Sequence, residues 1–202
     1  VTIGRNAGEY TDRRVEDDFN LCDDEMQMLK KVTELFHQAG KSVVVILNIG
    51  GVVETASWRD LPDAILVAWQ GGQESGNSLA DILSGKVSPS GKLPMTFPIR
   101  YEDAASSKNF PVIEAEEAVN IYREFFTGAK GVDRPNVDYT LYEEGIFVGY
   151  RYFDSFDVAT AYPFGYGLSY TDFKYSKPIC VKTDVGYEFS CTVTNSGKVP
   201  GK

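Results

Sequence analysis

The chain has 202 residues, 43% of them hydrophobic, enough to bury a core and too many for a wholly disordered protein. A formal net charge of −9 argues against nucleic acid and anionic membrane surfaces as partners, because both select clustered lysine and arginine. No uncharged apolar run nears the roughly 18 residues of a membrane span, and three widely spaced cysteines with one histidine argue against a disulfide framework, a zinc signature, a His-rich metal site and a Ser-His-Asp triad.

Val1-Thr2-Ile3 reads as the end of a strand, and Lys202 follows a strand-like segment, so the sequence is expected to be a piece of a longer polypeptide. Gly4-Arg5-Asn6-Ala7-Gly8-Glu9-Tyr10-Thr11-Asp12-Arg13 follows as a turn-forming loop that holds up one carboxylate, Glu9. A carboxylate between glycine-rich backbone and an Asp-Arg pair has surroundings able to tune its pKa, as a general acid/base requires. Taken alone, the same pattern also fits a solvated loop acid, one of 29 Asp and Glu in the chain.

Residues 14–21 read as acidic and irregular. Cys22-Asp23-Asp24-Glu25 then opens a helix, with acids suited to the N-terminal dipole. Met26, Leu29, Val32 and Phe36 repeat at helical spacing, and Gly40 ends the element. His37, near its C-terminus, reads as a surface residue favoured by the dipole. Ser42 to Leu47 is a β-branched run expected to form a buried parallel strand, with Asn48 to Gly51 as the turn at its carboxyl end.

A second strand is predicted over 64–68, and Trp69-Gln70-Gly71-Gly72-Gln73-Glu74-Ser75-Gly76 leads from it into a helix over 77–83. This alternation marks an α/β domain with a mostly parallel sheet sandwiched by helices. Gly71-Gly72 matches neither nucleotide-binding glycine pattern, and Glu74 repels an anion at that helix start, so close packing at the sheet's carboxyl edge is the preferred reading. Ligands usually sit at that edge, which leaves Trp69 open between a sugar-stacking platform and plain core, with core preferred.

Residues 88–94 form a turn-rich connector into the extended piece Met95-Thr96-Phe97. A helix is expected over 114–126 and a loop over 128–138. The aromatic run Tyr142, Phe147, Tyr150, Tyr152, Phe153 reads as packing rather than a binding stripe. Pro163-Phe164-Gly165-Tyr166-Gly167-Leu168 is a tight turn. Tyr187, Phe189, Cys191 and Val193 alternate with Glu188, Ser190, Thr192 and Thr194, the pattern of a half-buried strand that begins an antiparallel β-region. Cys180 and Cys191 are candidates for a disulfide only under strict geometry, which disfavours the pair.

With these motifs in hand, the chain resembles the C-terminal half of glycoside hydrolase family 3, the bacterial β-glucosidases. The resemblance rests on Gly8-Glu9 with Asp12-Arg13; Trp69 to Glu74; Pro89-Ser90-Gly91-Lys92-Leu93-Pro94 with Thr96-Phe97-Pro98; Tyr142-Glu143-Glu144-Gly145-Ile146 with Val148-Gly149-Tyr150-Arg151-Tyr152; and Pro163 to Tyr170. The five stretches occur in the same order over nearly the whole chain. The resemblance implies that residues 1–168 are the later part of an α/β sandwich domain and that residues 169–202 start a fibronectin type III-like β-sandwich.

The resemblance further implies a retaining exo-acting β-glucosidase whose aspartate nucleophile lies in an N-terminal barrel outside these residues, as part of the same polypeptide or as a separate chain. Glu9 takes the position of the acid/base, where the family's Gly-Glu-Gly-x-Asp-Arg pattern becomes Gly-Glu-Tyr-Thr-Asp-Arg. Tyr10 replaces a glycine, so the loop follows another path or Tyr10 lines the leaving-group side. Arg5, Tyr10 and Trp69 are candidate substrate contacts. Asp12 and Arg13 are candidate supports of the loop, expected to pair with each other and leave Glu9 uncompensated.

The expected partner is a small carbohydrate; no cofactor, metal, nucleic acid or membrane is expected. Residues 112–138 look longer than in typical relatives, as a lid or an oligomer contact. A β-xylosidase, another exo-glycosidase of the same family, or a non-catalytic carbohydrate-binding fragment are the competing readings. Both a bacterial cytoplasmic and a periplasmic or secreted location fit.

Overall fold

The computed structural model describes residues 1–7, 13–109 and 141–201. The expected helix over 114–126 and loop over 128–138 lie outside the described residues. The chain forms two compact units, Val1–Gly72 with Pro94–Gly165, and Gln73–Leu93 with Tyr166–Lys202.

The first unit is built on a three-stranded parallel sheet in the order β1 (Thr2–Gly4), β2 (Val44–Asn48), β3 (Ala64–Val67). Leu47 of the central strand is in register with Ile3 on one side and Val67 on the other. Val45 and Leu47 are fully buried while Val44 and Ile46 are half-buried, as befits a strand with neighbours on both edges and apolar side chains on both faces. The strand begins two residues later than the β-branched run suggests, because Val43 is held by Asp63: its amide donates to Asp63 Oδ2 at 2.7 Å.

Helix α1 (Asp23–Gln38) starts where predicted. Glu25 accepts from the Cys22 amide at 3.1 Å, so the third helical residue caps the chain behind it. Leu29 and Thr33 are the buried positions; Met26 and Val32 are half-buried, and Phe36 is 49% exposed. The apolar stripe is therefore covered around its middle and uncovered at its end. His37 is exposed as expected and lies 2.9 Å from Asp63, which ties the end of α1 to the entrance of β3.

Trp58, 1% exposed, is part of the core and donates its indole N–H to the Glu54 carbonyl at 2.7 Å. Later in the chain, β4 (Phe97–Pro98) pairs antiparallel with β5 (Thr160–Tyr162), and Phe97 is 1% exposed. Between them comes the short helix α3 (Tyr150–Ser155). Its Phe153 is buried, but Tyr142, Phe147, Tyr150 and Phe156 are exposed. The rings still pack against one another as expected: Tyr150 stacks on Phe164 with centroids 4.6 Å apart, Phe147 meets Phe156 at 5.1 Å, and half-buried Tyr152 meets Phe153 at 5.6 Å.

In the second unit, helix α2 (Ser75–Leu83) precedes the connector that the Pro163–Tyr170 motif meets. Tyr170 donates its hydroxyl to the Ile82 carbonyl at 2.9 Å, Leu93 N donates to the Tyr166 carbonyl at 2.8 Å, and the Ser88 and Ser169 hydroxyls are 2.9 Å apart. Gly167 is required there, since a Cβ would stand 2.6 Å from the Gly91 carbonyl oxygen. Two antiparallel pairs follow: β6 (Phe173–Tyr175) with β9 (Val193–Asn195), and β7 (Ile179–Thr183) with β8 (Gly186–Ser190).

The single half-buried strand expected over 187–194 is instead two strands broken at Cys191-Thr192, and Tyr187 and Phe189 are largely exposed. A two-stranded ribbon has no layer against which to bury a face, so alternation in the sequence does not become burial. Cys22, Cys180 and Cys191 are free thiols.

Candidate active site

Parallel strands deliver their loops to one edge, and three loops meet at the carboxyl edge of this sheet. The exit of β1 continues the ladder for one residue, with Arg5 N donating to the Asn48 carbonyl at 3.1 Å. Ala7 from that exit, Gly50 after β2 and Gln70 after β3 then crowd together. A Cβ on Gly50 would lie 3.0 Å from Gln70 Nε2 and 3.1 Å from the Ala7 Cβ. A Cβ on Gly72 would meet nothing within 4 Å, so the close approach among these three exits is at Gly50 rather than Gly72. The reason is position: Gly50 sits directly between two neighbouring strand exits.

Glu9, Tyr10 and Asp12 lie outside the described residues, together with Gly8 and Thr11. Both flanks of that stretch are described, and each carries an arginine with its head group turned into the protein. Arg5, with a 7% exposed side chain, forms a bidentate pair with Glu25: Nη1 donates to Oε1 at 2.7 Å and Nη2 to Oε2 at 2.6 Å. Its Nε donates to the Asp18 carbonyl at 2.6 Å, and Nη1 also donates to the Gly4 carbonyl at 2.7 Å. The Arg5 hydrogen bond is the main reason that the Glu25 carboxyl is held below the ordinary glutamate range, and the same bond raises the Arg5 guanidinium.

Arg13, on the far flank, donates Nε to Asp18 Oδ1 at 2.9 Å, Nη2 to the Asp18 carbonyl at 3.2 Å and Nη1 to the Val52 carbonyl at 2.8 Å. Among the described residues Asp18 is its ionic partner; the expected pair with Asp12 falls outside them. Gly51 makes room for this arrangement, since a Cβ there would approach Arg13 Nη1 to 3.0 Å.

The tight turn over Val15–Phe19 brings Asp18 into place. Phe19 N bonds to the Arg14 carbonyl and Asn20 N to the Val15 carbonyl, and Asp17 takes a left-handed conformation at φ 60°. Aspartate tolerates that region better than most residues. In the sequence Asp18 is one acid in an irregular stretch, and Glu25 fits the helix dipole. The acid at the third helical position was a readable cap signal; its partnership with an arginine 20 residues earlier was not.

Trp69 is half-buried and takes φ 54°, unusual for a bulky residue and costing about 1–3 kcal/mol. Its ring meets Phe97 edge-on with centroids 6.3 Å apart. Strain of this kind persists where surrounding structure over-determines it, and here it lies where β3 leaves the sheet. Beside Arg13 and Arg14 the first unit also has a cavity of about 730 Å³, lined among others by Phe19, Tyr101, Tyr150 and Phe164. Its volume falls in the range of small-molecule pockets.

The profile of the glycosyl hydrolase family 3 C-terminal domain matches residues 1–150. Beta-glucosidase A of Butyrivibrio fibrisolvens is 40% identical over 92% of the chain, and an exo-alpha-(1->6)-L-arabinopyranosidase of Bifidobacterium longum is 37% identical over 87%. The solved structure of beta-glucosidase 3B from Thermotoga neapolitana in complex with glucose superimposes with a TM-score of 0.79, at 45% identity over 97% of the chain. The chain spans 21% of the length of each of those two sequences and 25% of that structure.

Proposed function

The chain belongs to glycosyl hydrolase family 3, and from that premise we propose that it supplies the acid/base half of a retaining β-glucosidase active site. In this reading Glu9 protonates the glycosidic oxygen while an aspartate from an N-terminal barrel attacks the anomeric carbon. Glu9 then takes a proton from the water that releases the sugar. The two carboxyl groups of a retaining enzyme stand about 5–5.5 Å apart, so residues 8–12 must be presented to a partner surface.

One observation supports this best: the flanks of that stretch are fastened by Arg5 and Arg13 at the carboxyl edge of a parallel sheet. A loop pinned at both ends there is suited to hold a proton donor against a second domain. The arginines suit the role electrostatically as well. Both are satisfied by Glu25, Asp18 and backbone carbonyls, and a guanidinium so engaged does less to lower the pKa of a nearby acid than one aimed at it. Arg5 and Arg13 then act on the loop, and substrate contact falls to Tyr10 and Trp69.

The polypeptide holding both carboxylates tests the proposal. Glu9→Gln is expected to abolish hydrolysis of alkyl glucosides, whose leaving groups need a proton, while largely sparing aryl glucosides that leave unaided. Azide is expected to restore turnover of an activated aryl glucoside by Glu9→Ala. Equal loss on both substrate types, or no rescue, would count against the acid/base role. The arabinopyranosidase among the relatives favours one further reading, the same chemistry on another sugar. Comparing kcat/KM for aryl β-glucoside, β-xyloside and α-arabinopyranoside decides it.

A further inference from the structure

Asp18 plays no direct part in the chemistry above, yet the two flanks of residues 8–12 meet on it. Its Oδ1 accepts Arg13 Nε at 2.9 Å and lies 2.8 Å from Arg13 Nη2. Its Oδ2 accepts the Arg14 amide at 3.3 Å. Its carbonyl accepts both Arg5 Nε at 2.6 Å and Arg13 Nη2 at 3.2 Å, and Oδ1 stands 3.9 Å from Arg5 Nε. One residue therefore holds an arginine from each side of the stretch. Among the described residues, the charged side chains paired around it are Arg5, Arg13 and, across Arg5, Glu25.

We propose that Asp18 is a positioning residue for proton transfer, acting through Arg5 and Arg13; this rests on the acid/base reading of Glu9. Its carboxylate does two things. It fixes the Arg13 flank beside Arg5, whose Nε lies 3.9 Å from Oδ1, and it keeps the Arg13 guanidinium engaged four residues from Glu9. Without it Arg13 loses its ionic partner among the described residues and keeps only the carbonyls of Val52 and Asp18. A cation drawn to a general acid stabilises the deprotonated form, which is the form unable to donate.

The test is Asp18→Ala in the intact enzyme that includes the nucleophile, with Asp18→Asn as the shape-conserving variant and Asp18→Glu as the charge-conserving one. Asp18→Ala is expected to lower kcat on an alkyl glucoside by roughly 100-fold, the scale of an ångström-sized misplacement, with a much smaller loss on a good aryl leaving group. The alkaline limb of kcat/KM, which reports the general acid, is expected to move to lower pH, and Asp18→Glu is expected to recover part of both effects. Where Asp18→Ala does not fold, Asp18→Asn is read for the same limb.

An unchanged alkaline limb with equal losses on both substrates would reduce Asp18 to a structural residue, and unchanged kinetics would remove it altogether. Glu9→Gln measured alongside separates the two levels. If it shows no leaving-group dependence, the acid reading fails and takes this inference with it. If it shows that dependence and the Asp18 variants do not, the positioning role alone is overturned.

Discussion

Gly50 shows how a single residue can be set by its neighbours. Its own backbone does not require glycine, but the Ala7 methyl and the Gln70 amide occupy the space where a side chain would stand. Gly50→Ala therefore overpacks the junction of two strand exits and is expected to cost about 1–3 kcal/mol in urea unfolding. If the loop before Glu9 moves to relieve the contact, activity falls further than stability, and kcat measured on folded protein reads the difference. Nothing in the glycine spacing singles out this position. Close approach depends on which segments cross, and crossing is a property of the folded chain. Trp69 behaves in the same way: its aromatic character was legible, its left-handed backbone and edge-on contact with Phe97 were not.

At the scale of elements, α1 and the three parallel strands lie close to their sequence limits, because a 3.6-residue apolar repeat and a β-branched run each have one economical way to bury themselves. The entrance of α1 does more than start a helix. Glu25 caps Cys22 and grips Arg5, so the helix N-terminus anchors the exit of β1. The sign of the linkage follows from the depressed Glu25 pKa. The unfolded chain takes up the proton first, so the stabilisation is full above the ordinary glutamate pKa and is lost as pH falls through the lower folded value. Glu25→Gln is expected to lower the Tm at neutral pH and to flatten its acid dependence; parallel acid titrations of Tm for the two proteins check this. Asp63, lowered mainly by the Val43 amide and then by His37, has the same sign, but its exposure makes its share small. The antiparallel strands show the limit of pattern reading, since alternation from Tyr187 to Val193 predicts burial that a two-stranded ribbon does not provide.

For the whole molecule, the proposed division of the active site makes a direct prediction. This chain alone is expected to hydrolyse no glucoside, and activity is expected to appear when it is joined to, or copurified with, a barrel bearing the aspartate. Turnover by the isolated chain at the rate of the joined form would overturn that division. The sequence by itself determined the α/β class, the helix and strand cores, the family and the segment where chemistry is sought, because periodicity and ordered motifs are local properties carried along the chain. It took the folded chain to bring Glu25 and Asp18 onto Arg5 and Arg13, to crowd Gly50 between two strand exits, and to leave Tyr187 and Phe189 exposed among the described residues. Those facts depend on which distant segments come within a few ångströms of each other, and no spacing along a single chain encodes that directly.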